Sequence, residues 1–356
     1  MTVIAVVAAA SVGGVVPGPA GWIGPAGAST GCVAYVANWG DDTVSVVDLE
    51  AASVSATVAV GRDPDGVAVS PDGREVYVAA TADNELWVID TAAEAVVATV
   101  WVGLGPEGVA VSPDGGTVYV TNPPDGTVAR VGTGSRSVLS TIPVGAGPRG
   151  VAATDGPNRY VAAISGADTL YRAGLSDVVV GNAPTGVAVS PDGATTYVTN
   201  FLDDSVSVVA NGPGTVVATV PVGVGPRGVA VSTDGTRVYV ANSFLDTVSV
   251  IATATNTVVA TIPVGQFPYG VAMSPDGSAV VVTASGPSSV SVIATASDTV
   301  VATIPVGQFP YGVAVTCSAP PACPALLRTA AASVPAAEAT TAPDASAPCP
   351  RPRFTG

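Results

Sequence analysis

Histidine is absent from this 356-residue sequence, and so is lysine: all twelve basic side chains are arginine. Imidazole bases, histidine metal ligands and lysine Schiff bases are therefore unavailable. Aromatic residues are scarce at 5%, so any local concentration of them carries information. No long window shows helical periodicity, and no apolar run is long enough for a membrane span. Clustered positive charge is missing too. The net charge of −15 excludes nucleic acid as a partner, because phosphate binding needs grouped Lys and Arg.

What remains is valine, alanine, 41 glycines and 31 prolines, a strand-and-turn composition. Residues 1–31 form an apolar, low-complexity segment with a signal-like stretch at about 3–12 and small-x-small sites at Ala8–Ala10 and Ala26–Ala28. The positively charged start of a signal peptide is missing. Export is the expectation. Residues 318–356, rich in Ala, Pro, Thr and Ser, are expected to be a disordered tail.

Between these ends the sequence repeats. Gly-Val-Ala begins at Gly66, Gly108, Gly150, Gly186, Gly228, Gly270 and Gly312, with spacings of 42, 42, 36, 42, 42 and 42. A Tyr-Val pair accompanies it at Tyr35, Tyr77, Tyr119, Tyr160, Tyr197 and Tyr239, with Val281 in the seventh place. Each full unit reads as four short strands divided by turn chemistry such as "SPDG" and "TNxxD". Four short strands per 40–45 residues predict a propeller blade. "GVAV", small enough for the crowded axis, is the innermost strand. "TIPV" and its variants, with Pro143, Pro221, Pro263 and Pro305, form the outer edge, where a proline costs no ladder bond.

Tyr35 has no inner strand before it, and the last "GVAV", at Gly312, has no strands after it. The fold expected for residues 32–317 is thus an all-β, seven-bladed propeller of four-stranded antiparallel blades. It closes through a composite blade in which residues 312–316 pair with 33–38. Blade four is shortened, by one residue between Gly150 and Tyr160 and by five between Tyr160 and Gly186.

"YVTN" itself stands at 119–122 and 197–200, with "YVAN" at 35–38 and 239–242. Together with "PxGVAVSPDG" it resembles the YVTN-repeat family of seven-bladed propellers over residues 33–316. The resemblance implies an exported protein, secreted or at the cell surface, and periplasmic where the host has an outer membrane. It also implies a binding or structural role. A neighbouring family, the lactonase-type propellers, supplies the enzymatic alternative, a lactonase- or glycosidase-type hydrolase using carboxylates at the channel mouth. None of its catalytic motifs aligns here.

The frame "VGxxPxG" holds Gly and Pro constant and varies the residue between them. Glycine is expected to permit a sharp re-entry and proline to stiffen it. Round the ring the variable residue is Asp65, Glu107, Arg149, Thr185, Arg227, Tyr269 and Tyr311. These side chains are expected at the channel mouth, where propellers usually bind. Phe267 and Phe309, from the duplicated "QFPYG", and Trp39 on the composite blade should add an aromatic platform for a protein, peptide or glycan. The bland reading competes: solvated loop tips, and phenylalanines packed between blades. Asp41, Asp42, Asp125, Asp203, Asp204 and Asp246, with Asn38, Asn122, Asn200 and Asn242, read as turn formers rather than metal ligands. Ser70, Ser112, Ser190 and Ser274 recur in turns with no histidine to activate them. No metal, cofactor or catalytic residue is assigned, and a monomer is expected.

Of four cysteines, Cys32 and Cys317 align with positions flanking a "PDG" turn that the composite blade lacks. A bond between them would replace that turn covalently, worth about 4–5 kcal/mol on the loop-entropy account. Pairing of Cys32 with Cys323, or lipidation of Cys32, are the rivals; Cys323 and Cys349 are otherwise left to the tail.

Overall fold

The computed structural model describes residues 31–154 and 160–317. The N-terminal segment, the tail and its two cysteines therefore lie outside the described residues. Each repeat forms the four strands that its turns delimit, as in Pro64–Val69, Glu75–Ala80, Glu85–Asp90 and Ala95–Trp101. Seven such four-stranded antiparallel sheets make up the molecule, a seven-bladed propeller. Within each sheet the strand order follows the chain from axis to rim, save for the composite blade.

In that blade the last described strand, Pro310–Cys317, pairs with the first, Cys32–Asn38, and Thr43–Asp48 and Ser53–Ala59 complete the sheet. The register sets Val33 against Thr316, Tyr35 against Ala314 and Val36 against Val313, and extends to Cys32 opposite Cys317. Those two cysteines are disulfide-bonded, with Cα atoms 3.9 Å apart. The chain abandons its last repeat after one strand because the missing three begin the described sequence.

Valine explains how the blades adhere. Second and third strands are buried on both faces, so they read as continuous apolar runs rather than alternating ones. Neighbouring sheets share each core: Tyr35, Val44 and Val58 of the composite blade pack with Val67, Val76 and Ile89 of the next. Outer strands alternate between exposed and covered positions, as an edge does. Pro143, Pro221, Pro263 and Pro305 each end one of these outer strands. Blade four keeps only Thr169–Arg172 and Val178–Val179 as its third and outer strands.

Candidate functional site at the channel mouth

The loops that enter each inner strand and the turns between second and third strands lie at one end of the ring. The turn acids join them. Asp42 accepts from the Asp63 N–H at 3.0 Å, Asp204 from Gly225 at 2.9 Å and Asp246 from Phe267 at 3.0 Å, each 21 residues along the chain. Asp41, Asp125 and Asp203 do the same for Gln308, Leu104 and Asn182. The asparagines of the "YVTN" motif are buried and also reach across: Asn200 and Asn242 accept from the N–H groups of Gly181 and Gly223. The acids are therefore cross-loop staples, while the asparagines also hold their own hairpins, as the Asn200 amide does by donating to Ser205 and Ser207 at 3.0 Å. A buried amide needs partners, and for Asn200 and Asn242 the adjacent loop supplies one of them.

The glycine of "PxG" also has a different role from the expected one. None of the seven adopts a left-handed φ. A β-carbon on Gly228 would sit 2.4 Å from the carbonyl oxygen of Tyr269, and one on Gly312 would sit 2.1 Å from that of Asp65. Each glycine abuts the backbone of the next blade's variable residue, right round the circle, and only hydrogen fits there. The threonine of "YVTN" completes the joint. Thr199 Oγ1 accepts from the Gly186 N–H at 2.7 Å and donates to the Arg227 carbonyl at 2.7 Å; Thr121 and Thr283 do likewise for Arg149 and Tyr311. Where alanine replaces that threonine, at Ala79, Ala163 and Ala241, a hydroxyl two residues later reaches the neighbour instead, as Thr81, Ser165 and Ser243 do to Pro106, Pro184 and Pro268.

This joinery holds the variable residues around a cavity of about 210 Å³, lined by Asp65, Glu107, Arg149, Thr185, Arg227 and Tyr269 above a sleeve of valines that includes Val109, Val187 and Val229. Arg149 pairs with Glu107 at 2.8 Å. Thr185 lines the cavity, but its hydroxyl is engaged with Thr199 and the Pro226 carbonyl. Tyr269 and Tyr311 stack at 4.4 Å with ring planes 6° apart, and Trp39 stacks on Tyr311 at 5.8 Å. Phe309 meets Trp39 edge-on.

The row continues beyond the expected residues. The Arg227 guanidinium lies 4.7 Å over Tyr269 and 4.6 Å over Phe201, and Phe201 meets Phe244 edge-on at 5.7 Å. Trp39, Tyr311, Tyr269, Arg227, Phe201 and Phe244 thus form one continuous run of rings and cation at the mouth. Phe201 and Phe244 were not among the expected site residues. Their signal was present, because both occupy "TNxxD"-type turns at this same end. Phe267 is the exception. It shares this end of the ring but stands 53% exposed, outside the stacked row.

Two carboxyls in the cavity are perturbed. Burial, then repulsion by Glu107, pushes Asp65 up to about 7 against the pull of Arg149 and Arg227. Part of the residue still faces channel water. Burial raises Glu107 as well, opposed chiefly by its Arg149 partner. The Asp65 charge, with burial, holds the Tyr269 phenol protonated well above its usual range, and burial raises Tyr311. The repeated serines at the opposite end are structural: Ser112 donates to Asp114 at 2.5 Å and accepts from the Thr117 N–H at 2.9 Å.

Residues 233–321 match the family model of YNCE-like beta-propellers, and residues 163–261 that of seven-bladed beta-propeller lactonases. No curated protein sequence matches the chain significantly. Among solved structures it resembles a functionally unknown protein from Desulfotomaculum acetoxidans DSM 771, with TM-score 0.71, 20% identity, and coverage of 80% of this chain and 99% of that one. It also resembles hydrazine synthase of Kuenenia stuttgartiensis, with TM-score 0.64, 22% identity, and coverage of 72% and 91%. A protein assigned as a 6-phosphogluconolactonase, from Bacteroides uniformis ATCC 8492, gives TM-score 0.68, 17% identity, and coverage of 80% and 99%. At these identities the likeness is one of fold, and with the family models it establishes the chain as a seven-bladed beta-propeller.

Proposed function

We propose that this protein is an exported, non-catalytic propeller of the YVTN-repeat type, a monomer that binds a protein, peptide or glycan at its channel mouth. One observation carries the reading: six side chains from three turns and three inner-strand starts, Trp39 to Phe244, form an unbroken row of rings and cation on one end of the ring. Aromatic and arginine side chains of this kind are the usual anchors of binding surfaces. Export is supported by the Cys32–Cys317 disulfide, since such bonds persist in oxidising compartments. No helix among the described residues is long and apolar enough to cross a membrane. Glycan and peptide arrays probed with the purified ring test the reading. A retained ligand whose binding depends on Tyr311 supports it, and an array with no retained ligand counts against it.

The hydrolase reading is favoured by a different observation. The lactonase family model matches part of the chain, and Asp65 and Glu107 are perturbed acids in one cavity. A carboxyl titrating near neutrality suits general acid–base work. Acid release from a δ-lactone at constant pH separates the two readings. The binding protein leaves the rate at that of buffer, whereas an enzyme accelerates it and loses the acceleration in Asp65→Asn.

A further inference from the structure

We infer that the Arg227 side of the channel mouth is a carboxylate subsite, taking a singly charged carboxylate on a compact apolar body. This rests on the binding reading above and names the chemistry of its ligand.

The first ground is the state of the arginine itself. Arg62, Arg74, Arg136, Arg149 and Arg237 are each ion-paired, and Arg172 donates to a backbone carbonyl. Arg227 differs. Its guanidinium carbon lies over the ring faces of both Phe201 and Tyr269, and among the described residues no carboxylate comes within ion-pair distance and no acceptor hydrogen-bonds to it. Two rings packed against one guanidinium restrict its movement, and its N–H donors are left without an acceptor. Their planar fork matches the two oxygens of a carboxylate. Arg227 lines the cavity.

The second ground is the cavity's shape and charge. Its volume of about 210 Å³ is below the roughly 300–1,000 Å³ of pockets that enclose a drug-sized ligand. It suits a small acid or the acidic end of a larger molecule. Below the polar ring, the valine sleeve offers an apolar wall to the body of such a ligand. Arg149 is neutralised by Glu107, which leaves Arg227 and Asp65 to decide the balance. With Asp65 protonated the lining carries one net positive charge, and with Asp65 ionised it carries none.

The groups acting on Asp65 are Glu107, Arg149 and Arg227, and Asp65 in turn acts on Tyr269 and Tyr311, both of which stay neutral phenols. Asp63, two residues away on the entering loop, is the remaining acid nearby. An anionic ligand therefore favours the protonated form of Asp65, and binding should weaken as pH rises through about 7. The chain's charge of −15 limits the ligand to a single charge, since a polyanion would be repelled.

Calorimetric titration of the intact, disulfide-bonded chain with benzoate tests the inference, with benzyl alcohol as the neutral control. Benzoate should bind at pH 6, bind several-fold more weakly at pH 8, and bind at least tenfold more tightly than benzyl alcohol. Asp65→Asn should bind benzoate equally at both pH values. Arg227→Gln should lose at least tenfold at pH 6. Should that variant melt early, Arg227→Lys, which keeps the charge but not the planar fork of donors, should fall between it and the parent.

Benzoate binding that is absent at pH 6, matched by benzyl alcohol, or indifferent to Arg227 overturns the subsite. If array ligands still bind in a Tyr311-dependent way, only the subsite is lost. If neither benzoate nor any array ligand binds, the binding reading fails with it.

Discussion

At the residue before each "PxG" proline, the chain turns through the left-handed region. Glycine occupies that place at 105, 147 and 225, but Asp63, Ala183, Phe267 and Phe309 hold φ between 50° and 54° there. A side chain in this conformation costs about 1–2 kcal/mol, so two phenylalanines at such positions are held by their surroundings or kept for a purpose. Asp65 is a second strained choice, and its sign can be worked out. Its folded pKa of about 7 lies above its ordinary 3.8, so between those values the folded state binds more protons than the unfolded one. Stability therefore falls as pH rises from about 4 to about 7, and is flat above. Asp65→Asn should accordingly melt higher than the parent at pH 8, by a margin worth about 1–2 kcal/mol once screening by channel water is allowed for. That margin should vanish at pH 4. Thermal melts of both proteins at the two pH values check this.

The strand is the scale at which the sequence was most legible. Repeat spacing and turn chemistry marked four strands per unit, and proline and glycine content ordered them from rim to axis, because backbone hydrogen bonding and crowding act on residue type directly. Cross-loop contacts were not legible. Asn200 and Asp204 look like ordinary turn residues, and only the folded ring shows their partners lying 19 residues upstream and 21 downstream respectively. Thr199 belongs to the same class. It is fully buried and serves two backbone groups of adjacent blades at once. Thr199→Val keeps the shape and removes both bonds, so it should destabilise by about 1–3 kcal/mol in chemical denaturation. A loss below 0.5 kcal/mol on the same scale would show that the joint between blades does not depend on it.

For the whole molecule, closure of the ring was readable from the two ends of the repeat pattern, since a lone inner strand and a lone outer triplet satisfy each other. The disulfide spans 285 residues and ties the described chain's ends together. Cys317→Ser should lower unfolding stability by about 5 kcal/mol on the loop-entropy account, with reduced parent behaving like the variant; equal midpoints for oxidised and reduced parent would mean that the bond adds nothing to closure. The mouth was legible only in part. The variable "PxG" positions pointed to Tyr269, Tyr311 and Arg227, but the extension through Phe201 and Phe244 depends on how neighbouring blades lie against each other. The central claim, that this end of the ring is where a partner binds, is tested most directly by one affinity comparison. An array-derived ligand is titrated against the parent, against Tyr311→Ala at the mouth, and against Asp234→Asn at the opposite end, where Asp234 accepts from the Ser232 hydroxyl at 2.6 Å as Asp114 does from Ser112. The account predicts a loss of about 1–3 kcal/mol for Tyr311→Ala, a five- to 150-fold weaker Kd, and none for Asp234→Asn. Unchanged affinity in Tyr311→Ala, or a loss confined to Asp234→Asn, would contradict it.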